Sequence, residues 1–328
     1  MLTRRQLIAA SASLVPLGLT APVRAAAPYP SKPVRFVVPA PAGSPVDTIA
    51  RKLGDAVARD LGATVVIDNR PGAMGSIGAA EAARSPADGY TFLFTLADPL
   101  VSATVMIKSL PYKPATAFSP ITKVAVGIGP MLVARPGLKA NNFSELVALA
   151  KTGTPLSYGS WGPGTTPVQI MESAARQAGV QFREVPYRGS PPALQDLLGD
   201  SIDTTFLAPF VAAPLIAEGR IKALATVGTK RPASLPGVQT FPEAGFSSFV
   251  FTNCLWVGLL APAGTDEAIQ RRVGDSVRKA VHGDEFGKYL TSISFDPVGN
   301  SAAEFRQDID KEAQVIPALL RELGLQPQ

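Results

Sequence analysis

Two apolar periods alternate along this chain. Short continuous apolar runs stand at residues 34–38, 64–67 and 91–94, and each follows or precedes a turn rich in glycine and proline. Runs of that length, bounded by turn residues, predict strands buried on both faces. Between them the period lengthens. Val46, Ile49, Leu53, Val57 and Leu61 recur at helical spacing, with Pro45 suited to a first helical turn and Ser44 to the cap before it. Asp47 in that turn favours the helix dipole. The same strand–turn–helix rhythm predicts helices over 143–150, 167–178, 191–198 and 208–218. It predicts strands at 124–126, 131–134, 155–158, 183–187, 201–206, 221–226 and 255–260. Residues 110–114 and 118–120 read as irregular. Ser301-Ala-Ala-Glu304 is a capping box opening a long last helix with Phe305, Ile309, Ile316, Leu319 and Leu320 on its apolar side. Strands alternating with helices give the α/β class.

Two of the turns carry candidate chemistry. In Tyr158-Gly-Ser-Trp-Gly-Pro-Gly-Thr-Thr-Pro167 a strand feeds a glycine-rich turn and then a helix. Such a junction turns free backbone N–H groups and hydroxyls toward open space, which suits an anion. Residues 39–47 repeat the arrangement, so the two turns are expected to be the halves of one carboxylate-binding cleft. Ala97 and Asp98 follow the strand at 91–94, at the strand end where α/β sheets hold ligands. Gly72, Gly75 and Gly78 lack the G-x-G core of a dinucleotide fingerprint.

Composition narrows the function classes. The 328 residues are 46% hydrophobic and 17% charged, enough for a large core and two domains. Arg4, Arg5 and Arg24 account for three of the five net positive charges, so the remainder is about +2 by subtraction (5 minus 3) and implies no nucleic-acid surface. One cysteine, Cys254, excludes an internal disulfide, and with one histidine, His282, it makes a poor metal set. His282 stands in a charged helix-end context, where a solvated histidine is the plain expectation. Residues 1–27, with paired arginines, an apolar stretch and Val23-Arg-Ala25, are expected to be an export signal of the twin-arginine or the ordinary type. The apolar stretch is too short, and too broken by Pro16, to span a membrane comfortably.

Several stretches together resemble the substrate-binding proteins of tripartite tricarboxylate transporters, the Bug family. They are Tyr29-Pro-Ser-Lys-Pro-Val-Arg-Phe-Val-Val-Pro39, Asp68-Asn-Arg-Pro-Gly-Ala-Met-Gly-Ser-Ile-Gly78, Pro86-Ala-Asp-Gly-Tyr-Thr91, Leu156-Ser-Tyr-Gly-Ser160, Val185-Pro-Tyr-Arg-Gly189, Ala193-Leu-Gln-Asp-Leu-Leu-Gly199 and Leu235-Pro-Gly-Val-Gln-Thr240. The resemblance implies a two-lobed periplasmic binding protein of the type II, Venus-flytrap kind, each lobe a mostly parallel sheet flanked by helices. Residues 28–125 with 251–328 would form one lobe and 126–250 the other. It implies a monomer that closes on a small organic carboxylate and passes it to membrane transporter subunits, with no cofactor, metal or catalytic residue. Carried over by position, the first lobe offers Gly43, Ser44, Asp47, Ala97 and Asp98. The second offers Ser160, Gly162, Gly164, Thr165, Thr166, Arg188, Gly189 and Asp203.

The chain departs from the family pattern at Ala40, at Gly43-Ser44, at Val168 and at Glu184, so a ligand cannot be transferred. Two other readings stay open. One is a sensor that presents its ligand to a membrane receptor. The other is an exported hydrolase, although Gly159-Ser160-Trp-Gly162 is not a G-x-S-x-G elbow and only His282 could be a histidine base.

Overall fold

A computed structural model describes residues 29–127 and 129–327. The export segment expected at 1–27 lies outside the described residues. The strands are β1 (Val34–Val38), β2 (Val65–Asn69), β3 (Thr91–Thr95), β4 (Phe118–Gly127), β5 (Met131–Ala134), β6 (Ser157–Ser160), β7 (Arg183–Pro186), β8 (Thr204–Leu207), β9 (Lys222–Thr226), β10 (Trp256–Pro262) and β11 (Phe295–Pro297). They form two sheets, ordered β11-β4-β10-β3-β1-β2 and β7-β6-β8-β5-β9.

Both sheets are mixed. β2, β1 and β3 are parallel, as are β7, β6 and β8. The antiparallel strands belong to the passages between the sheets. β4 leads from the first sheet into β5, and β10 returns the chain to lie between β4 and β3. The strands that enter a sheet after a crossing, β5 and β10, run opposite to the strands on either side of them, whereas β4, which leaves the first sheet, keeps the sense of β3. Parallel order therefore holds where crossover helices connect strands and gives way at the crossings.

β1 explains its continuous apolar run. Val34, Phe36 and Val38 face one side, packed with Ile49, Leu53 and Val57 from helix Pro45–Leu61 and with Val273, Val277 and Val281 from helix Glu267–Val281. Val37 faces the other side with Leu93, Ala79, Leu260, Phe305 and Ile309. The second sheet is covered the same way. Leu132, Tyr158 and Phe206 pack with Phe143, Ile170 and Phe241 on one face, and Met131, Val133 and Leu207 pack with Leu197 and Ile202 on the other.

Residues 118–120 are not irregular: they begin the ten-residue β4. Pro120 is tolerated there because it stands opposite Leu260 beside a register shift of the β4–β10 ladder. Helix Phe249–Thr252, helix Asp284–Ser292 and β11 add to the elements expected. The capping box of Ser301 and Glu304 opens helix Ala302–Glu322 with both its hydrogen bonds made. The end of that helix reaches the other lobe, where Leu319 and Leu325 join the second core and Arg176 Nη1 donates to the Glu322 carbonyl at 2.7 Å. No helix among the described residues is long and apolar enough to cross a membrane.

Candidate functional site

A cleft of about 550 Å³ lies between the two sheets, walled by segments of both. The cause is topological. Each βα unit delivers a helix start to the carboxyl end of its strand, and those ends face one another. Five helices of nine residues or more begin at the cleft wall: Pro45–Leu61, Ser76–Arg84, Thr166–Ala178, Ser190–Leu198 and Pro209–Ala217. First-turn N–H groups have no intrahelical acceptor, and their dipoles make such a wall attractive to an anion. Proline near the start of four of these helices removes a donor that the helix does not use.

Ser44, Asp98, Gly162, Thr165, Arg188 and Gly189 stand on the cleft wall. Ser44 caps helix Pro45–Leu61 by accepting from the Asp47 N–H at 3.3 Å. Asp47 lies behind the wall. Its carboxylate accepts from the Gly43 N–H at 2.9 Å, from Asn69 Nδ2 at 2.9 Å and from Arg51 at 3.0 and 3.1 Å. Asn69 also donates to the Ala40 carbonyl, so Asp47 ties the turn at 39–44 to the helix start and to β2. Burial pulls the Asp47 pKa up, but the hydrogen bonds from Arg51, Gly43 and Asn69 outweigh it and hold the group below the usual carboxylate range.

The opposite turn spends its hydroxyls on itself. Thr165 Oγ1 donates to the Gly162 carbonyl at 2.6 Å instead of capping the helix. Ser160 Oγ donates to Glu184 Oε1 at 2.6 Å and accepts from the Gly162 N–H. The Gly164 carbonyl accepts from Gln169 Nε2. Val168 is buried in the second core. Thr166 and Ala97 stand on a small polar cavity of about 20 Å³ beside the cleft, together with Asp98, Ser102, Gln169 and Glu312. Asp203 is away from the wall, paired with Arg135 at 2.9 Å and accepting from the Ser157 N–H and hydroxyl at 2.8 Å each.

Two charged side chains line the cleft. Arg188 is exposed and has no carboxylate within ion-pair distance among the described residues. Asp98 is buried, accepts from Ser102 Oγ at 3.1 Å, and is pushed up to about 7 by burial, with Glu312 adding to the effect and the Ser102 bond opposing it. Gln169 Nε2 also donates to Ser102 Oγ at 3.2 Å, which links the lobes at the small cavity beside the cleft. Much of the remaining wall is apolar: Met74, Leu96, Met106, Trp161, Leu255, Val257 and Phe295. Single-sequence reading takes such residues for core, because nothing in their spacing distinguishes a cleft wall from an interior. Left-handed φ at Ala73 and at Met74, 46° and 56°, was a further signal beyond reach of spacing; it bends the 72–75 turn into the cleft.

The hydrolase reading gains no partner for its serine. Ser160 bonds Glu184, whereas His282 is exposed at the C-terminal end of helix Glu267–Val281, which packs on the other lobe. Among the described residues no cluster of three or more His, Cys, Asp and Glu side chains could hold a metal ion.

A two-lobed α/β fold with helix starts converging on an interlobe cleft defines a solute-binding protein. The sequence pattern of the TctC family, described as tripartite tricarboxylate transporter family receptor, matches residues 49–325, and the chain belongs to that family. It is 30% identical to protein BugT of Bordetella pertussis over 309 residues, 94% of each chain. It is similar in structure to the periplasmic binding protein BugD, with a TM-score of 0.84, 29% identity and coverage of 92% of this chain and 100% of that one. It is also similar to a Rhodopseudomonas palustris protein solved with adipate, with a TM-score of 0.86, 28% identity and coverage of 92% and 100%.

Proposed function

We propose that the chain is a periplasmic receptor that captures a small organic carboxylate in the interlobe cleft and delivers it to a tripartite tricarboxylate-type membrane transporter. In this reading the protein acts as a monomer without catalysis. Residues 28–125 with 251–328 move as one lobe and 126–250 as the other. The carrying observation is the convergence of five helix starts with a guanidinium, Arg188, that has no carboxylate partner among the described residues, on a single cleft. An arginine fork is shaped for a carboxylate. Helix-start N–H groups add fixed donors that need no reorganisation. The adipate bound to the similar R. palustris protein supports the ligand class.

Gly43, Asp47, Ser160 and Gly164 serve by holding the turns that carry these donors, Asp203 ties the far end of β6 to Arg135, and Ala97 stands with Asp98 on the small cavity beside the cleft. Ser44, Gly162, Thr165, Thr166, Arg188, Gly189 and Asp98 are the groups assigned to the ligand or to its immediate neighbours. The test is calorimetry on full-length mature protein, unfolded and refolded to strip any resident ligand, against a panel of mono-, di- and tricarboxylates. Saturable 1:1 binding to at least one is expected. Silence across the whole panel would sink the reading.

A further inference from the structure

The cleft wall has one cation, one buried acid and an extensive apolar face, and that imbalance bears on which carboxylate fits. We propose that the preferred ligand is a monocarboxylate carried on an apolar body of ring size or branched shape, rather than a short di- or tricarboxylate. This deepens the carboxylate reading above and rests on it.

Charge comes first. A first ligand carboxylate finds Arg188 and the helix-start N–H groups. A second finds no second cation on the wall among the described residues, where Asp98 is the other charged side chain, and must rely on the remaining helix-start N–H groups alone. Asp98 is itself a carboxyl that accepts from Ser102, so a ligand carboxylate next to it is tolerated only while Asp98 keeps its proton and is repelled once Asp98 ionises. Much of the rest of the wall gives a bare anion little: Leu96, Met106, Trp161, Leu255, Val257 and Phe295 offer carbon surface. The hydroxyl of Thr95 is turned back onto the Leu96 carbonyl at 3.1 Å.

Space and the hydrophobic effect favour the same choice. A cleft of about 550 Å³ is larger than a four-carbon acid needs and lies within the usual range for small-molecule sites, roughly 300–1,000 Å³. An apolar body that fills it removes both its own surface and the wall from water. Each methylene so buried tightens binding by about fourfold.

The experiment uses refolded, ligand-stripped protein titrated with 3-phenylpropionate, adipate, succinate and citrate. The aromatic monocarboxylate is expected to bind at least tenfold more tightly than each of the others, with a more negative heat-capacity change. Adipate, succinate or citrate binding as tightly as 3-phenylpropionate overturns the inference and leaves the carboxylate reading standing. Failure of all four to bind overturns the inference, while the carboxylate reading falls only if the wider panel is silent as well. Leu255→Ser supplies the second arm, with its folding checked by thermal melt. It is expected to weaken 3-phenylpropionate at least fivefold more than adipate, and equal losses count against an apolar-body subsite. Arg188→Met is expected to weaken all carboxylates at least tenfold, and unchanged binding of 3-phenylpropionate overturns the assignment of its carboxylate to Arg188.

Discussion

Gly189 faces Pro41 across the cleft so closely that a β-carbon at 189 would stand 3.0 Å from Pro41 Cγ and 3.1 Å from Cδ. The proline ring cannot rotate away, and Gly189 has a φ of 112° that side chains rarely adopt. Gly189→Ala therefore has two consequences. Backbone strain is expected to lower stability by about 1–2 kcal/mol. The clash is expected to hold the lobes apart and to weaken ligand binding about tenfold. Small-angle scattering of the liganded variant checks the second point: a radius of gyration equal to that of the liganded parent protein would contradict it.

The lobes also meet through Gln169, whose side chain donates to Ser102 and to the Gly164 carbonyl. Gln169→Leu keeps the volume and removes the bond. A hydrogen bond of this kind contributes about 1 kcal/mol, so affinity is expected to fall about fivefold through loss of the closed population. The change should appear in the dissociation rate more than in the association rate. A variant with unchanged dissociation kinetics would show that the bond does not help to hold the lobes shut.

Asp98 predicts a pH dependence of stability. Burial, then Glu312, raises its pKa to about 7 in the folded protein. The folded state thus keeps a proton that the unfolded chain releases near pH 4. The associated stability is fully present below that pH and is lost as pH rises to about 7, by up to roughly 4 kcal/mol at about 1.4 kcal/mol per unit. Asp98→Asn removes this loss. Its melting temperature relative to the parent is expected to rise by several degrees between pH 5 and pH 8. A constant difference over that range would rule the explanation out.

Asp47 has the opposite sign. Its folded pKa is lowered, by Arg51, Gly43 and Asn69 acting against burial, so its contribution is present above the ordinary carboxylate pKa and fades as pH falls below it. Asp47→Ala leaves the Gly43 N–H and the Asn69 amide without their acceptor and is expected to destabilise by about 3 kcal/mol near neutral pH. Thermal melts at pH 7 and pH 3 are the check, with the gap between variant and parent narrowing at the lower pH.

A core position tests the packing. A β-carbon at Gly258 would stand 2.2 Å from Phe305 Cζ, inside the edge-to-face contact of Phe305 with Trp256. Gly258→Ala is expected to lose about 2–3 kcal/mol through overpacking. Gly258→Ala combined with Phe305→Leu should recover part of the loss. A single variant as stable as the parent would mean that helix Ala302–Glu322 shifts freely on the sheet.

These residues also mark what the chain revealed before folding. Helix starts were legible because proline, serine and aspartate have local reasons to stand where they do, as at Ser44, Pro45 and Asp47. The strands of the sheet centre were legible because β1 is apolar on both faces. Pro120 misled, since its tolerance depends on a register shift beside its partner Leu260, 140 positions away. Asp203 reads like any polar strand end, and its pairing with Arg135 is a product of the β5–β8 ladder that brings the two strands side by side. The apolar wall was hidden for a different reason. Leu255 and Phe295 share a cleft with Trp161 only after the chain has crossed twice between sheets, and an apolar side chain carries no mark of whether its neighbour will be another side chain or a ligand.

The donors at the helix starts belong to the main chain, and that divides the cleft into a part mutation can scarcely alter and a part it can alter at will. Exchanging Met74, Met106 or Leu255 changes the shape offered to a ligand without removing a single backbone N–H. A lineage built this way can change the shape of ligand it accepts by single steps while its main-chain donors stay in place.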